Sequence, residues 1–141
     1  MKTYYLGILT ILMLTGCAGP THLLVKEGSA PFVGGEFVHD RGEGNLLVLE
    51  TPDRRYEARG FAVDHQTNLA ELRKRHYGVN PRHWERIFSG LDTDHVTYAT
   101  ETVAKSIEGQ EVSCRLIWGA GVKPVGVCTD HAGAAFQVQF E

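Results

Sequence analysis

The amino-acid sequence predicts an α+β fold, in which a mainly antiparallel β-sheet carries a two-helix insert. Three observations lead to this prediction. Runs of strand type fill residues 32–63, a segment with helix-capping residues follows over 67–90, and four further strand-type runs complete the chain over 96–140. Because short turns separate the last four runs, we expect them to form an antiparallel meander.

The first β region contains two runs joined by a tight turn. Residues 45–50 form a short apolar run that begins after Gly44. Residues 55–63 alternate between apolar and polar side chains, as a half-buried strand does. Pro52 and Asp53 lie between the runs and favour a turn, since Pro presets φ and Asp bonds back to the backbone.

The segment after this region carries start and stop signals for two helices. The first helix is expected to begin at Leu69 and to end at Gly78. Asn80 can cap a second helix, with Pro81 at its first position, and Gly90 would end it. This pattern predicts a two-helix insert of about 25 residues between the two β regions.

The meander can be assigned a register from its loops. If one loop centres on Gly121, Cys114 faces Cys128 across two antiparallel strands, Leu116 faces Gly126 and Trp118 faces Pro124. If residues 130–133 form the next turn, Val127 faces Phe136. The predicted core face then consists of Ile117, Val125, Val127, Phe136, Val138 and Phe140. The opposite face, with the two cysteines, Leu116 and Trp118, is expected to lie under the insert.

The N-terminus resembles that of bacterial lipoproteins. Lys2 precedes an apolar run over residues 4–14, which has the length of a signal-peptide core and is too short to span a membrane. Leu14, Thr15, Gly16 and Cys17 then match the lipobox of that family. The resemblance implies a thioether-linked diacylglycerol on Cys17 and an acylated (palmitoyl) amino terminus. Such chains would anchor the protein stably.

The resemblance also implies a domain organisation and a location. Residues 1–16 are expected to be the signal peptide, residues 17–31 the lipidated N-terminus and a tether, and residues 32–141 a single α+β domain. Within the tether, residues 22–26 could form a short edge strand. By analogy with the family, Ala18 in place of Asp after the cysteine favours the outer membrane, with the domain facing the periplasm.

Charge and cysteine content agree with an exported protein. Of the 14 Lys and Arg residues only Lys2 lies in the signal, so the mature chain has 13 basic and 17 acidic residues. This excess of acidic residues argues against nucleic-acid binding. The chain has 3 cysteines. Lipidation of Cys17 leaves Cys114 and Cys128, which we expect to form a disulfide in an oxidising compartment.

Histidine and aspartate are neighbours at four places, more often than chance predicts. Imidazole and carboxylate together can bind a transition metal, although turn formation explains the same pairs. Cys128 and His131 also have a metal-like spacing, which competes with the disulfide. The candidate metal ligands are His39, His65, His95 and His131.

No catalytic motif or cofactor-binding motif is recognisable, so we expect neither enzymatic activity nor a cofactor. The expected partners are the membrane, through the lipid on Cys17, and an envelope protein. Tyr77, Trp84 and Phe88 in the insert are the candidate partner-binding residues, because aromatic side chains are favoured at interfaces. The sequence therefore predicts a non-enzymatic binding or structural module of the cell envelope, with a periplasmic metal-binding module as the alternative.

Overall fold

The protein forms one antiparallel β-sheet. A computed structural model describes residues 19–39, 44–67, 95–119 and 121–141. The strands in these residues are β1 (Thr21–Leu23), β2 (Gly34–Val38), β3 (Leu46–Glu50), β4 (Arg55–Arg59), β5 (Asp64–Thr67), β6 (Val96–Lys105), β7 (Glu111–Gly119), β8 (Val122–Asp130) and β9 (Ala135–Gln139).

The sheet curls so that its first and last strands meet. Its strand order is β1-β2-β3-β4-β6-β7-β8-β9, and β5 pairs with β6 beside this path. The backbone N–H groups of Leu23 and Glu141 each donate to the other residue's carbonyl oxygen, both at 2.8 Å. Val25 donates to the carbonyl oxygen of Gln139 in the same way, at 2.8 Å. These bonds hold the curled sheet as a half-barrel with a concave inner face.

The predicted α+β class is wrong, because the fold is all-β. In the described ranges the residues form strands, turns and irregular backbone without a helix, and among them no helix is long and apolar enough to cross a membrane. The proposed two-helix insert falls on residues 68–94, which lie outside the described residues. An α+β fold covers one sheet face with helices, whereas here the curling of the sheet covers its own inner face.

The core lies on this inner face, where strands from both halves of the chain pack against one another. On β7, alternate residues from Val112 to Trp118 are buried, as the period of two requires. The buried apolar residues that form the core cluster are Leu24, Phe32, Phe37, Leu47, Leu49, Tyr56, Ala58, Ala104, Val112, Cys114, Leu116, Trp118, Cys128, Val138 and Phe140.

The predicted β7–β8 register is confirmed for its central part. Cys114 is paired with Cys128 and Leu116 with Gly126. The register shifts between Ile117 and Gly119, so the predicted pairing of Trp118 with Pro124 falls where the ladder is irregular.

The predicted β8–β9 register is wrong by one residue. Phe136 pairs with Cys128 and not with Val127, and Val138 pairs with Gly126. A slip of one residue moves a whole strand face to the other side of the sheet. The predicted core face was wrong for Ile117, Val125 and Val127, which lie on the outer face. It was confirmed for Val138 and Phe140, which belong to the core, and Phe136 packs against that core. The cystine, Leu116 and Trp118, which were assigned to the opposite face, also form part of the core.

Strand β1 lies within the segment expected to be a tether, and it overlaps the possible edge strand at residues 22–26. Thr21 pairs with Val38 and His22 with Phe37 on β2. The ordered sheet thus begins four residues after Cys17 in the sequence. We call the end of the sheet at which β1 begins and β7 ends the upper end.

Candidate functional site

The inner face at the upper end carries a cluster of ring side chains. His22 and Phe37 share this face because they are directly paired, and His39 shares it because it lies two residues after Phe37. Tyr98 pairs with Trp118 across β6 and β7 and completes the same surface. We call the following six residues the ring cluster: His22, Phe37, His39, Phe61, Tyr98 and Trp118.

The rings of this cluster are in close contact. The centroid of Phe37 lies 5.0 Å from that of Trp118 and 6.2 Å from that of Phe61. His39 lies 4.9 Å from Trp118, which in turn lies 5.8 Å from Tyr98 in a nearly parallel arrangement. Phe37 and Trp118 are buried and the others are partly exposed. The cluster therefore has a buried apolar part, formed by Phe37 and Trp118, and a partly exposed part that includes the two imidazoles.

The two histidines of the cluster meet through their Nε2 atoms. These atoms are 3.1 Å apart, a hydrogen-bonding distance. The ring planes differ by 13°, and the centroids are 5.1 Å apart, farther than the nitrogens, so the rings meet edge to edge. For a hydrogen bond one Nε2 must donate a proton and the other must accept it with its lone pair.

The surroundings favour the neutral form of both imidazoles. Burial lowers the pKa of His22, and the positive charge of Lys123 lowers it further. Burial also lowers the pKa of His39, with a second contribution from His22. At neutral pH the pair therefore offers uncharged nitrogens, the form that binds metals.

The structure places the predicted metal ligands at separate positions. His39 belongs to the ring cluster. His65 is an exposed residue of β5 with its ring 6.4 Å from that of Tyr98, His95 directly precedes β6, and His131 is exposed in the β8–β9 turn. Within the described residues no group of three His, Cys, Asp or Glu side chains converges on one point. Two of the neighbouring aspartates, Asp40 and Asp94, lie outside the described residues.

Turn formation accounts for one of the His/Asp pairs. The carboxylate of Asp130 accepts hydrogen bonds from the backbone N–H groups of Ala132 and Ala134, both at 2.9 Å. An Asp side chain that bonds to the backbone two and four residues on stabilises a tight turn. Asp130 thus acts in the β8–β9 turn, beside His131.

The outer face of β7 and β8 carries exposed apolar side chains. Ile117 is 49%, Val125 37% and Val127 45% exposed. Ile117 and Val125 are direct cross-strand partners, and Val127 lies two residues further along β8 on the same face. Arg115, opposite Val127, forms an ion pair of 3.5 Å with Glu101. We call Ile117, Val125 and Val127 the outer strip.

Of the other predicted sites, only the disulfide lies within the residues that the structure describes. The Sγ atoms of Cys114 and Cys128 are 2.11 Å apart, at disulfide distance, which agrees with the predicted bridge. The lipidation site Cys17 lies outside the described residues. The same holds for the partner-binding candidates Tyr77, Trp84 and Phe88.

Sequence reasoning missed two features of this region. His22 lies in the segment interpreted as a tether, and its partner His39 is 17 residues away, a spacing that signals no common site. The outer strip was assigned to the core. The possible edge strand at residues 22–26 was the sequence feature closest to this arrangement, because its pairing with the strand before His39 brings the two histidines together. The chain matches no protein-family model, no curated protein and no solved structure.

Proposed function

We propose that this protein is a non-enzymatic binding module of the bacterial cell envelope, anchored by lipid on Cys17 and engaging an envelope protein through the outer strip. The observation that carries the binding role is the outer strip itself. Adjacent exposed apolar residues are more typical of an interaction surface than single scattered ones.

The surroundings of the outer strip favour a protein as its partner. Polar groups border the strip, including Gln137 opposite Val127 on β9 and the Arg115–Glu101 ion pair. An apolar centre with a polar rim is the anatomy of protein–protein interfaces. An anionic lipid surface would require a basic rim, which the acidic balance of the chain does not supply.

The lipid anchor is supported by the lipobox and is compatible with the short distance between Cys17 and the sheet. Four residues from Cys17 to Thr21 span at most about 14 Å. A lipid on Cys17 would hold the upper end of the sheet at the membrane surface. Ala18 after the cysteine supports the outer membrane, facing the periplasm, as the location.

The anchor is tested by fractionation of cells that express the chain or its Cys17→Ser variant. We expect the wild-type chain in the membrane fraction, with the mass of acyl groups on Cys17, and the variant outside it. A wild-type chain that still begins at Met1 with a free thiol at position 17 would contradict the anchor.

The binding role is tested by a photo-crosslinking residue at position 117 in intact cells, with position 107 as the matched control. Ile107 is apolar and fully exposed, but it lies in the β6–β7 turn, away from the outer strip. We expect a crosslink to a different envelope protein from position 117 and none from position 107. The crosslink should disappear in Val127→Lys.

Three other results would contradict the binding role. A crosslink from position 117 to residues 68–94 would mean that the chain covers its own strip. A crosslink to a second copy would indicate self-association, and a crosslink to lipid would indicate a membrane-facing surface.

A further inference from the structure

We propose that His22 and His39 form a binding site for one divalent first-row transition-metal ion, with Cu(II) bound most tightly among its candidates. The geometry of the two rings defines this site, which is independent of lipidation of Cys17 and of the outer strip. His22 lies outside the His/Asp pairs.

The separation of the two nitrogens fits joint ligation. Two Zn–N bonds of about 2.0–2.1 Å at a tetrahedral angle place their nitrogens about 3.3–3.4 Å apart. The Nε2 atoms are already 3.1 Å apart. The rings meet through their Nε2 edges, so the two Nε2 atoms face the same gap. An opening of a few tenths of an ångström would admit an ion between them.

The backbone holds the two ligands in place. His22 is fixed by β1, which pairs with β2 on one side and with the chain end at Glu141 on the other. The ring of His39 is packed against those of Phe37, 5.6 Å away, and Trp118, 4.9 Å away. Ligands whose rotamers are fixed by packing lose little freedom on binding, which favours affinity.

Binding needs no net gain or loss of protons. In the free pair one ring carries its proton on Nε2 and the other on Nδ1. On binding, the first ring moves its proton to Nδ1 through solvent, so that two neutral imidazoles each form one N–metal bond while the hydrated ion loses two waters. Since imidazole nitrogens suit Cu(II), Zn(II) and Ni(II), and Cu(II) leads the affinity series, Cu(II) is the preferred probe.

Two neighbours of the pair affect the site in different ways. Lys123 places a positive charge near His22, which opposes a cation. The indole N–H of Trp118 is buried and has no acceptor among the described residues. Water would fill the remaining coordination positions of an ion held by the two imidazoles.

The first experiment uses Cu(II) and the fluorescence of the full chain, purified in detergent and stripped of metal. The background is Trp84→Phe, which leaves Trp118 as the remaining one of the 2 tryptophans. Because His39 contacts Trp118, bound Cu(II) should quench its emission and saturate at one ion per chain. His22→Gln and His39→Gln should each weaken binding by roughly tenfold or more, since even the loss of a group that only orients a ligand costs that much.

Two control substitutions separate this site from adventitious binding. His131→Gln removes an exposed histidine and should leave the titration unchanged. Lys123→Gln should tighten binding severalfold, whereas Lys105→Gln, which removes a lysine paired with Glu111 at the other end of β6, should not. Equal quenching in wild type and in the His22→Gln/His39→Gln double variant would overturn the proposal.

A second measurement needs no substitution and covers the case in which a variant fails to fold. One equivalent of Zn(II) added to the ¹⁵N-labelled full chain should shift the Nε2 resonances of His22 and His39 together, before those of the other histidines. Simultaneous shifts of all seven histidines, or shifts that require a large excess of Zn(II), would overturn the site.

Discussion

The two faces of strands β7 and β8 have similar apolar composition but opposite environments. On the inner face Cys114, Leu116 and Cys128 are almost fully buried, whereas on the outer face Ile117 and Val127 are about half exposed. The difference is set by the curling of the sheet, which brings the β2 and β3 side chains onto one face only. An apolar strand residue is thus a core residue only when a second layer covers it.

The largest expected effect is the difference in stability between an inner-face and an outer-face truncation. Leu116→Ala on the inner face should lower the free energy of unfolding by about 2–5 kcal/mol, because it removes buried methyl groups and leaves a cavity. Ile117→Ala on the outer face should change it by less than about 0.5 kcal/mol. Urea denaturation of both variants measures the difference. Equal losses would mean that the outer strip is covered in the monomer.

The next effect concerns the bridge that crosses the inner face. Cys114 and Cys128 are 14 residues apart, and closing a loop of this length stabilises the folded state by about 3 kcal/mol in the chain-entropy model. The Cys114→Ser/Cys128→Ser double variant should therefore unfold at lower denaturant concentration. Reductant should shift the wild type to the same midpoint and leave the double variant unchanged. Identical midpoints without reductant would argue against a bridge.

A smaller effect is expected at Gly126, where β8 passes close to β7. A Cβ at this position would collide with the carbonyl oxygen of Arg115 and with the side chain of Leu116. Gly126→Ala should therefore cost about 1–3 kcal/mol, as overpacking of a core does. The matched control is Ser113→Ala, an exposed β7 position with a small side chain. Thermal unfolding of the two variants should show a lower midpoint for Gly126→Ala alone.

Local features of the sequence were enough to predict β3, β4 and β6 to β9, and the turn between β7 and β8, but not β5. The loop centred on Gly121 and the two cysteines fixed the pairing of Cys114 with Cys128, because a short turn leaves few registers. The turn between β8 and β9 contains Asp130 and Gly133, and its length was consistent with two registers one residue apart. Because apolar residues occupy both faces of β8, the pattern could not choose between them.

Long-range features could not be read from the sequence. The joining of Leu23 to Glu141 brings together residues from the two ends of the chain, and no local pattern encodes such a contact. The same closure makes β1 a strand and carries His22 to His39. The fold class was wrong for a related reason: no local pattern shows that the curled sheet covers its own inner face.

The smallest expected effect concerns the polar members of the inner face, His22 and His39. In the folded state the pKa of each lies below its ordinary value near 6.5, mainly because of burial. As pH falls through 6.5 the unfolded chain therefore takes up protons before the folded chain does. The free energy of unfolding should be constant above that pH, fall as pH drops from about 6.5 to the lowered pKa values, and level off below them.

Urea denaturation at a series of pH values between about 7.5 and 5 measures how the free energy of unfolding depends on pH. A chelator is present to exclude metal. The His22→Gln/His39→Gln double variant should show a flatter dependence than the wild type over the same range. Lys123→Gln should also flatten it, since the lysine contributes to the lowered pKa of His22. If the wild type and the double variant had equal slopes, the pair would be as solvated in the folded state as in the unfolded one. The buried part of the inner face would then extend only as far as Phe37 and Trp118.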